Sequence, residues 1–272
     1  MQAGSAFVLT LSIKSKTIRQ SEATGVDVRC SGIDTNHGVG RVTAMKRFTA
    51  AGLLGISITA LCGPAQAETA RDVLVNAAFG TTNKTTALAQ INQAIAIAES
   101  SLKRNPQDSN TRLQRALAIS YRGKLNRSRS DVLAARREFE ALVAADPRNP
   151  ETHLALAGWH LASVIELGPF MARTALGART AVGTKEMAQA LALGRNRASV
   201  SALASLQQIQ VNPDDVAGAR RLAEAAVGAR AETSFDRVMQ RQAGTLLASL
   251  RKGDGKASAS LAKQLMPFGR IA

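Results

Sequence analysis

The clearest alternation of apolar and polar positions lies between residues 133 and 164. Apolar groups follow the three-to-four spacing of one helix face there: Leu133, Arg137 through the stem of its side chain, Phe139, Leu142 and Val143. Residues 146–150, DPRNP, should end this helix, because proline lacks an amide hydrogen and crowds the preceding turn. Pro150 suits the first turn of a second helix, whose apolar face holds Leu154, Ala157, Gly158 and Leu161. The pattern predicts a helix, a tight turn and a second helix.

The same periodicity continues through residues 69–265 and predicts about ten helices in pairs, with no strand. Polar residues interrupt it at 123–130, which we expect to form a basic connection with Asp131 capping the next helix. Gly177 and Gly183 predict a bent or divided helix across residues 170–193. The predicted helical ranges are 69–79, 86–104, 131–145, 150–166, 170–193, 199–209 and 235–250. Three further helices are predicted: one capped by Asp108 or Ser109, one starting at Asp214 and Asp215, and a last one through Leu265. The fold class is therefore all-α.

Several of these positions carry a family resemblance. Ala135, Phe139 and Pro147, followed by Leu154, Ala157, Gly158 and Leu161, resemble the end of one tetratricopeptide repeat and the start of the next. Leu154 stands where that family has Trp, Ala157 where it has Leu, and Leu161 where it has Tyr. The resemblance implies antiparallel helix pairs, stacked as a tetratricopeptide-like superhelix (α-solenoid) across residues 68–272.

The N-terminal residues resemble an export signal. Met45-Lys46-Arg47 precedes an apolar run, and Ala65-Gln66-Ala67 forms an A-x-A cleavage site. We therefore expect a signal peptide at 45–67 with cleavage after Ala67, and a periplasmic or secreted protein. Residues 1–44 would then be a disordered extension or precede the true start. A single membrane anchor is one alternative to a signal peptide, but the apolar run is shorter than the ~20 residues that a membrane-spanning helix needs. Lipidation at Cys62 is the second alternative.

Composition narrows the candidate chemistry. The chain is 45% apolar but 3% aromatic, which is typical of a helical core built from small side chains, and its net charge is +15. Both cysteines, Cys30 and Cys62, precede the expected cleavage point. His153 and His160 lie seven residues apart, about 10.5 Å along a helix, so we expect them at a surface or groove edge, without metal. No nucleophile motif or phosphate-binding loop is recognisable, and we expect no cofactor and no catalysis.

Two binding surfaces are candidates. The tetratricopeptide resemblance implies a concave groove for a peptide or a partner helix, lined by Gln114, Tyr121, Arg122, Trp159 and Ser163. Packing of Trp159 on a neighbouring helix pair is the alternative. The densest basic region could instead bind an anionic surface or polymer, or simply be solvated: Arg112, Arg115, Lys124, Arg127 and Arg129.

These observations lead to one principal expectation of function. We expect a non-catalytic, exported interaction module of a bacterial envelope, with another envelope protein or a peptide segment as its partner. Nucleic acid is not expected as a partner, because an exported protein rarely meets it. The alternatives are a basic protein attached to an anionic envelope surface and an enzyme with an unrecognised site.

Overall fold

The computed structural model describes residues 69–194 and 196–271. The predicted extension at 1–44, the predicted signal peptide at 45–67 and both cysteines lie outside these residues. Every regular element within them is helical, and the only bridge of β type is an isolated one between Arg197 and Arg230. The all-α prediction is confirmed for this part of the chain, whereas stacking of helix pairs into a superhelix stays a prediction.

The described residues form eleven α-helices and one π-helical turn. Their bounds are α1 Ala70–Phe79, α2 Lys84–Arg104, α3 Ser109–Asn126, α4 Arg129–Ala145, α5 Pro150–Leu167, α6 Pro169–Met171, a π-helix at Ala172–Leu176, α7 Thr180–Leu193, α8 Ala198–Val211, α9 Val216–Gly228, α10 Ser234–Leu250 and α11 Gly255–Leu265. None of these helices combines the length and the apolar character that crossing a membrane would require.

Side-chain caps explain where most of these helices begin. An Asn, Asp, Ser or Thr side chain accepts a backbone N–H of the first turn, which would otherwise lack a partner. The capping residues are Thr69, Asn83, Asp108, Ser128, Asn149, Asp215, Thr233 and Asp254. Pro150 occupies the first turn of α5, as its sequence context predicts.

Two local predictions were wrong at the turn between α3 and α4. The connection comprises only Arg127 and Ser128, because α3 continues to Asn126. Arg127 adopts the left-handed conformation, with φ of 53°, and the Ser128 N–H closes the turn on the Gly123 carbonyl at 2.8 Å. Ser128, rather than Asp131, caps α4, and Asp131 lies in its first turn.

The division predicted within 170–193 falls at one of the two expected glycines. Gly177, with φ of +71°, ends the π-helix before α7 begins. Gly183 lies inside α7 and is buried against α5. A Cβ at Gly183 would lie 2.7 Å from Cγ of Leu161, so glycine permits the close approach of the two helices.

The most extensive helix contacts join α5 with α7, α8 with α9, α3 with α4, and α2 with α3, followed by α1 with α2 and α9 with α10. The repeat-like residues Ala135, Phe139, Leu154, Ala157 and Leu161 are all buried. The two ends of the described region also meet, because α1 packs against α10 and the Phe268 N–H donates to the Ala78 carbonyl at 2.9 Å.

Candidate functional site

A mostly apolar cleft of about 150 Å³ opens between α7 on one side and α8 and α9 on the other. Each of α7 and α8 contributes four residues at helical spacing, so each helix presents one face to the cleft. Leu161 and Leu222 complete it from α5 and α9. The ten lining residues are Leu161, Thr184, Met187, Ala188, Leu191, Ala204, Gln207, Gln208, Val211 and Leu222.

The cleft exists because α7 is held closer to α5 than to α8. Gly183 brings the backbone of α7 against Leu161, and α7 contacts α5 much more extensively than it contacts α8. A second attachment joins His153 Nδ1 of α5 to Glu186 Oε2 of α7 at 2.6 Å, with both side chains largely buried. The space between α7 and the α8–α9 pair is therefore left unfilled.

The side chains that line the cleft are apolar or polar and uncharged. None of its ten described lining residues is ionisable, and its polar groups are the Thr184 hydroxyl and two glutamine amides. Gln207 is almost fully buried, and its Oε1 has no partner among the described residues. Its Nε2 donates to the Gly158 carbonyl at 3.4 Å. The site thus combines apolar walls with a buried hydrogen-bond acceptor beside them.

Trp159, predicted at the groove, is buried, with 6% of its surface exposed. Its indole Nε1 donates to the Val132 carbonyl of α4 at 3.0 Å, and the Arg136 guanidinium lies 5.5 Å from its ring centre. Ser163 donates to the Trp159 carbonyl one turn earlier, at 2.7 Å. The geometry therefore corresponds to the packing alternative for Trp159 rather than to an open groove.

The other three predicted groove residues also make internal contacts. Gln114 is buried. Tyr121 meets Phe268 edge to face at 5.0 Å between ring centres, and burial raises its pKa to about 12. Arg122 makes two hydrogen bonds to the Asp131 carboxylate, at 2.8 and 3.0 Å. The structure thus places Arg122 and Trp159 against neighbouring residues of α4 without exposing both to a common partner.

The predicted basic region divides into paired and unpaired cations. Arg112 pairs with Glu138 at 2.8 Å, Arg115 with Glu99 at 2.9 Å, and Lys124 with Glu166 at 2.5 Å. Arg129 donates to the backbone carbonyl of Ala175 at 2.8 Å. Arg127 is exposed and makes no ion pair among the described residues.

The two histidines are buried, which contradicts the expected position at a surface or groove edge. They lie on a helix that is enclosed by α4, α7 and α8. His160 Nδ1 accepts the Arg179 N–H at 3.2 Å. Burial, with a further contribution from Arg136, lowers the pKa of His160 to about 4. Within residues 69–194 and 196–271, no three His, Cys, Asp or Glu side chains are grouped to hold a metal ion.

A chain of charged groups that sequence reasoning missed joins the starts of four helices. Glu151, in the first turn of α5, accepts hydrogen bonds from Arg71 of α1, at 2.7 Å, and from Arg197. Arg197, at the start of α8, also donates to Asp236 of α10 at 3.0 Å. The partners are 39 to 80 residues apart in sequence, so no local spacing could reveal them.

Asp236 is the fully buried member of this charged chain. Its Oδ1 accepts the Ser199 N–H at 3.3 Å, which caps α8 from another helix, while its Oδ2 accepts from the backbone and hydroxyl of Thr233. Burial alone would raise the pKa of Asp236, but the hydrogen bonds from Ser199, Thr233 and Arg197 lower it to about 2. The chain of charges therefore holds helix ends together, and none of its members lines the cleft.

No family model, no curated protein and no solved structure matches this chain. The cleft, the buried charges and the exposed surface are therefore the observations that bear on function.

Proposed function

We propose that this chain is a non-catalytic, tetratricopeptide-like interaction module, exported to the envelope of a bacterium, that binds a segment of another envelope protein in the cleft between α7 and the α8–α9 pair. The observation that carries this proposal is an apolar cleft without ionisable lining residues that opens at the molecular surface. Such a site recognises shape and apolar surface rather than performing proton transfer or nucleophilic attack.

The size of the cleft favours one apolar anchor. A volume of about 150 Å³ matches that of an apolar protein cavity known to hold a benzene-sized group. A single Leu, Met or Phe side chain of a partner would fill it, and one buried anchor often carries much of the affinity of an interface. The exposed residues at its rim, Thr184, Ala188, Gln208 and Val211, would contact the partner on either side.

Export and superhelical stacking are parts of the proposal that rest on the sequence. The basic start, apolar run and A-x-A site at 45–67 support export. The buried repeat-like positions from Ala135 to Leu161 support the tetratricopeptide-like pairing.

The test fills the cleft without touching the core. Ala188 lies exposed on α7 at the rim, so Ala188→Trp should obstruct the cleft and leave the fold intact. Ala248, exposed on α10 and outside the cleft, provides the same substitution as a matched control. We would cross-link the tagged chain in the periplasmic fraction and identify the captured proteins by mass spectrometry.

The expected result is a defined protein captured by the unmodified chain and by Ala248→Trp, but not by Ala188→Trp. Capture that is equal for all three chains would show that the cleft is not the binding site. Absence of the chain from the periplasmic fraction would refute export.

A further inference from the structure

The turn after α5 presents an exposed apolar tip. We use this name for Leu167, Phe170 and Met171, which are 46%, 75% and 53% exposed. Six large apolar side chains are exposed among the described residues, and these three fall within five consecutive positions. Gly168, with φ of +77°, and Pro169 form the turn between them, which fixes the backbone that carries the tip. Clustering of this kind marks a contact surface more often than isolated exposed side chains do.

Cations lie beside the apolar tip. Lys124 contacts Glu166 immediately before the tip, and Arg129 donates to the carbonyl of Ala175 just after it. These two contacts hold the α3–α4 turn, which carries the exposed Arg127, against both ends of the segment 166–175. Arg173 lies two residues beyond Met171 and is exposed.

The charge around the tip is positive on balance. The carboxylate that adjoins it in sequence, Glu166, is paired with Lys124, and Asp131 of α4 is paired with Arg122. Arg127 and Arg173 make no ion pair within residues 69–194 and 196–271, and Arg129 donates only to a carbonyl. Three cations, Arg127, Arg129 and Arg173, therefore lack a carboxylate partner among the described residues.

We propose that the apolar tip and its flanking cations, Arg127, Arg129 and Arg173, dock this protein on the surface of an anionic lipid bilayer. The apolar side chains enter the boundary between headgroups and acyl chains, while the cations contact lipid phosphates. This combination selects a bilayer over a soluble anionic polymer, since a polymer offers no apolar layer to Leu167, Phe170 and Met171. The inference uses no residue of the cleft and stands independently of the proposed function.

The experiment uses residues 68–272, which contain every described helix and all three buried clusters of apolar residues. Circular dichroism first establishes that each variant is folded. Binding is then measured by co-sedimentation with phosphatidylcholine vesicles, with and without phosphatidylglycerol. The tip variant is Phe170→Ser with Met171→Ser. Its matched control is Leu193→Ser with Val227→Ser, which removes two exposed apolar side chains from α7 and α9.

We expect the unmodified chain to bind the vesicles that contain phosphatidylglycerol and to bind pure phosphatidylcholine much more weakly. The tip variant should lose at least about tenfold in affinity, because two apolar side chains no longer leave water. The control pair should bind as the unmodified chain does. Equal binding of the tip variant and the unmodified chain, or no binding of the unmodified chain to the anionic vesicles, would overturn the proposal.

The cations are tested separately. Arg127→Gln with Arg173→Gln should cost about fivefold per removed charge near an anionic surface, whereas Arg241→Gln with Arg251→Gln removes two distant exposed charges and should cost less. Equal losses for the two pairs would mean that net charge alone drives the association, and would overturn the docking geometry.

Tryptophan fluorescence tests directly whether the tip enters the bilayer. In the Phe170→Trp variant, the emission of the new tryptophan should shift to shorter wavelength on anionic vesicles and should be quenched by brominated acyl chains. Trp159 is buried and supplies a constant background. Unquenched emission from bound protein would show that another surface holds the membrane.

Discussion

Replacement of Asp236 by asparagine tests the charged chain that joins the helix starts. The substitution keeps the shape of the side chain and one acceptor oxygen but removes the negative charge. Asp236 is fully buried, completes the capping box of its own helix with Thr233, caps α8 through the Ser199 N–H, and accepts from Arg197 at 3.0 Å. An amide at this position resembles the protonated acid, so the pKa of the acid gives the scale of the effect.

The free-energy cost follows from that pKa. Folding lowers the pKa of Asp236 from 3.8 to about 2. At about 1.4 kcal/mol per pKa unit, the charged form is favoured by roughly 2 to 3 kcal/mol in the folded protein. A lowered pKa means that this stability is fully present above pH 3.8 and is lost as the pH falls through about 2. Near neutral pH we therefore expect Asp236→Asn to lower the free energy of unfolding by roughly 2 kcal/mol.

Urea denaturation at neutral pH, followed by circular dichroism, measures this cost. In thermal unfolding of a domain of this size, the corresponding fall in Tm is about 4 to 8 °C. Asp254→Asn provides the matched control, since Asp254 caps α11 from an exposed position. Asparagine and aspartate are similarly good caps, so this substitution should cost only about a few tenths of a kcal/mol. If the two substitutions destabilise equally, the buried charge contributes nothing beyond capping, and the reasoning fails.

Three further substitutions test the packing around α5. His160→Asn retains an acceptor for the Arg179 N–H but cannot be protonated. Because folding lowers the pKa of His160 from 6.5 to about 4, the unmodified protein should lose stability as the pH falls through this range. In thermal unfolding, the Tm of the variant should depend less steeply on pH. Trp159→Ala should cost about 3 to 5 kcal/mol in urea denaturation, because the ring is buried, and a cost below about 1 kcal/mol would place the side chain outside the core. Gly183→Ala should cost about 1 to 3 kcal/mol, since the added methyl meets Leu161, whereas an unchanged Tm would show that α7 can move away from α5.

Helix positions were largely predictable from sequence because local chemistry sets them. The Asn149 side chain accepts an amide hydrogen in the first turn of α5, and Pro150 has no amide hydrogen there that needs a partner. The Asp215 side chain caps α9 as Asn149 caps α5. The Arg127 turn was missed because a left-handed residue is usually glycine or asparagine. Its hydrogen bonds back to the end of α3 let a polar segment remain helical where composition indicates a loop.

The sequence left open whether Trp159 lines a groove or packs on a neighbouring helix pair, because α5 is buried on nearly every side. Its buried residues include Leu154, Leu156, Trp159 and His160, which point in different directions around the helix. Periodicity identifies the inner face only when the other face is polar and exposed. The same difficulty applies to α8, where every residue from Ala198 to Gln207 is buried.

The cleft could not be predicted for a different reason. Met187 and Leu191 on α7 have the spacing of ordinary core residues, and so do Ala204 and Gln207 on α8. The cleft arises from the distance between α7 and α8. This distance depends on Gly183 and on the contact of His153 with Glu186, both of which hold α7 against α5. A sequence pattern shows which residues face inward but does not show whether another helix meets them.

The distribution of charge links the buried network to the exposed surface. From residue 68 onward the chain has 28 Lys and Arg but only 17 Asp and Glu. Several carboxylates are engaged internally, including Glu151 and Asp236 between helix starts and Asp131 against Arg122. Each of these carboxylates is paired with an arginine, so the excess of Lys and Arg over Asp and Glu leaves other cations, such as Arg127 and Arg173, without an ion pair among the described residues. Introducing a carboxylate there, by Arg173→Glu, should weaken binding to anionic vesicles more than the neutral Arg173→Gln does, because it adds repulsion to the loss of attraction. Equal binding by the two variants would show that this position does not face the lipid.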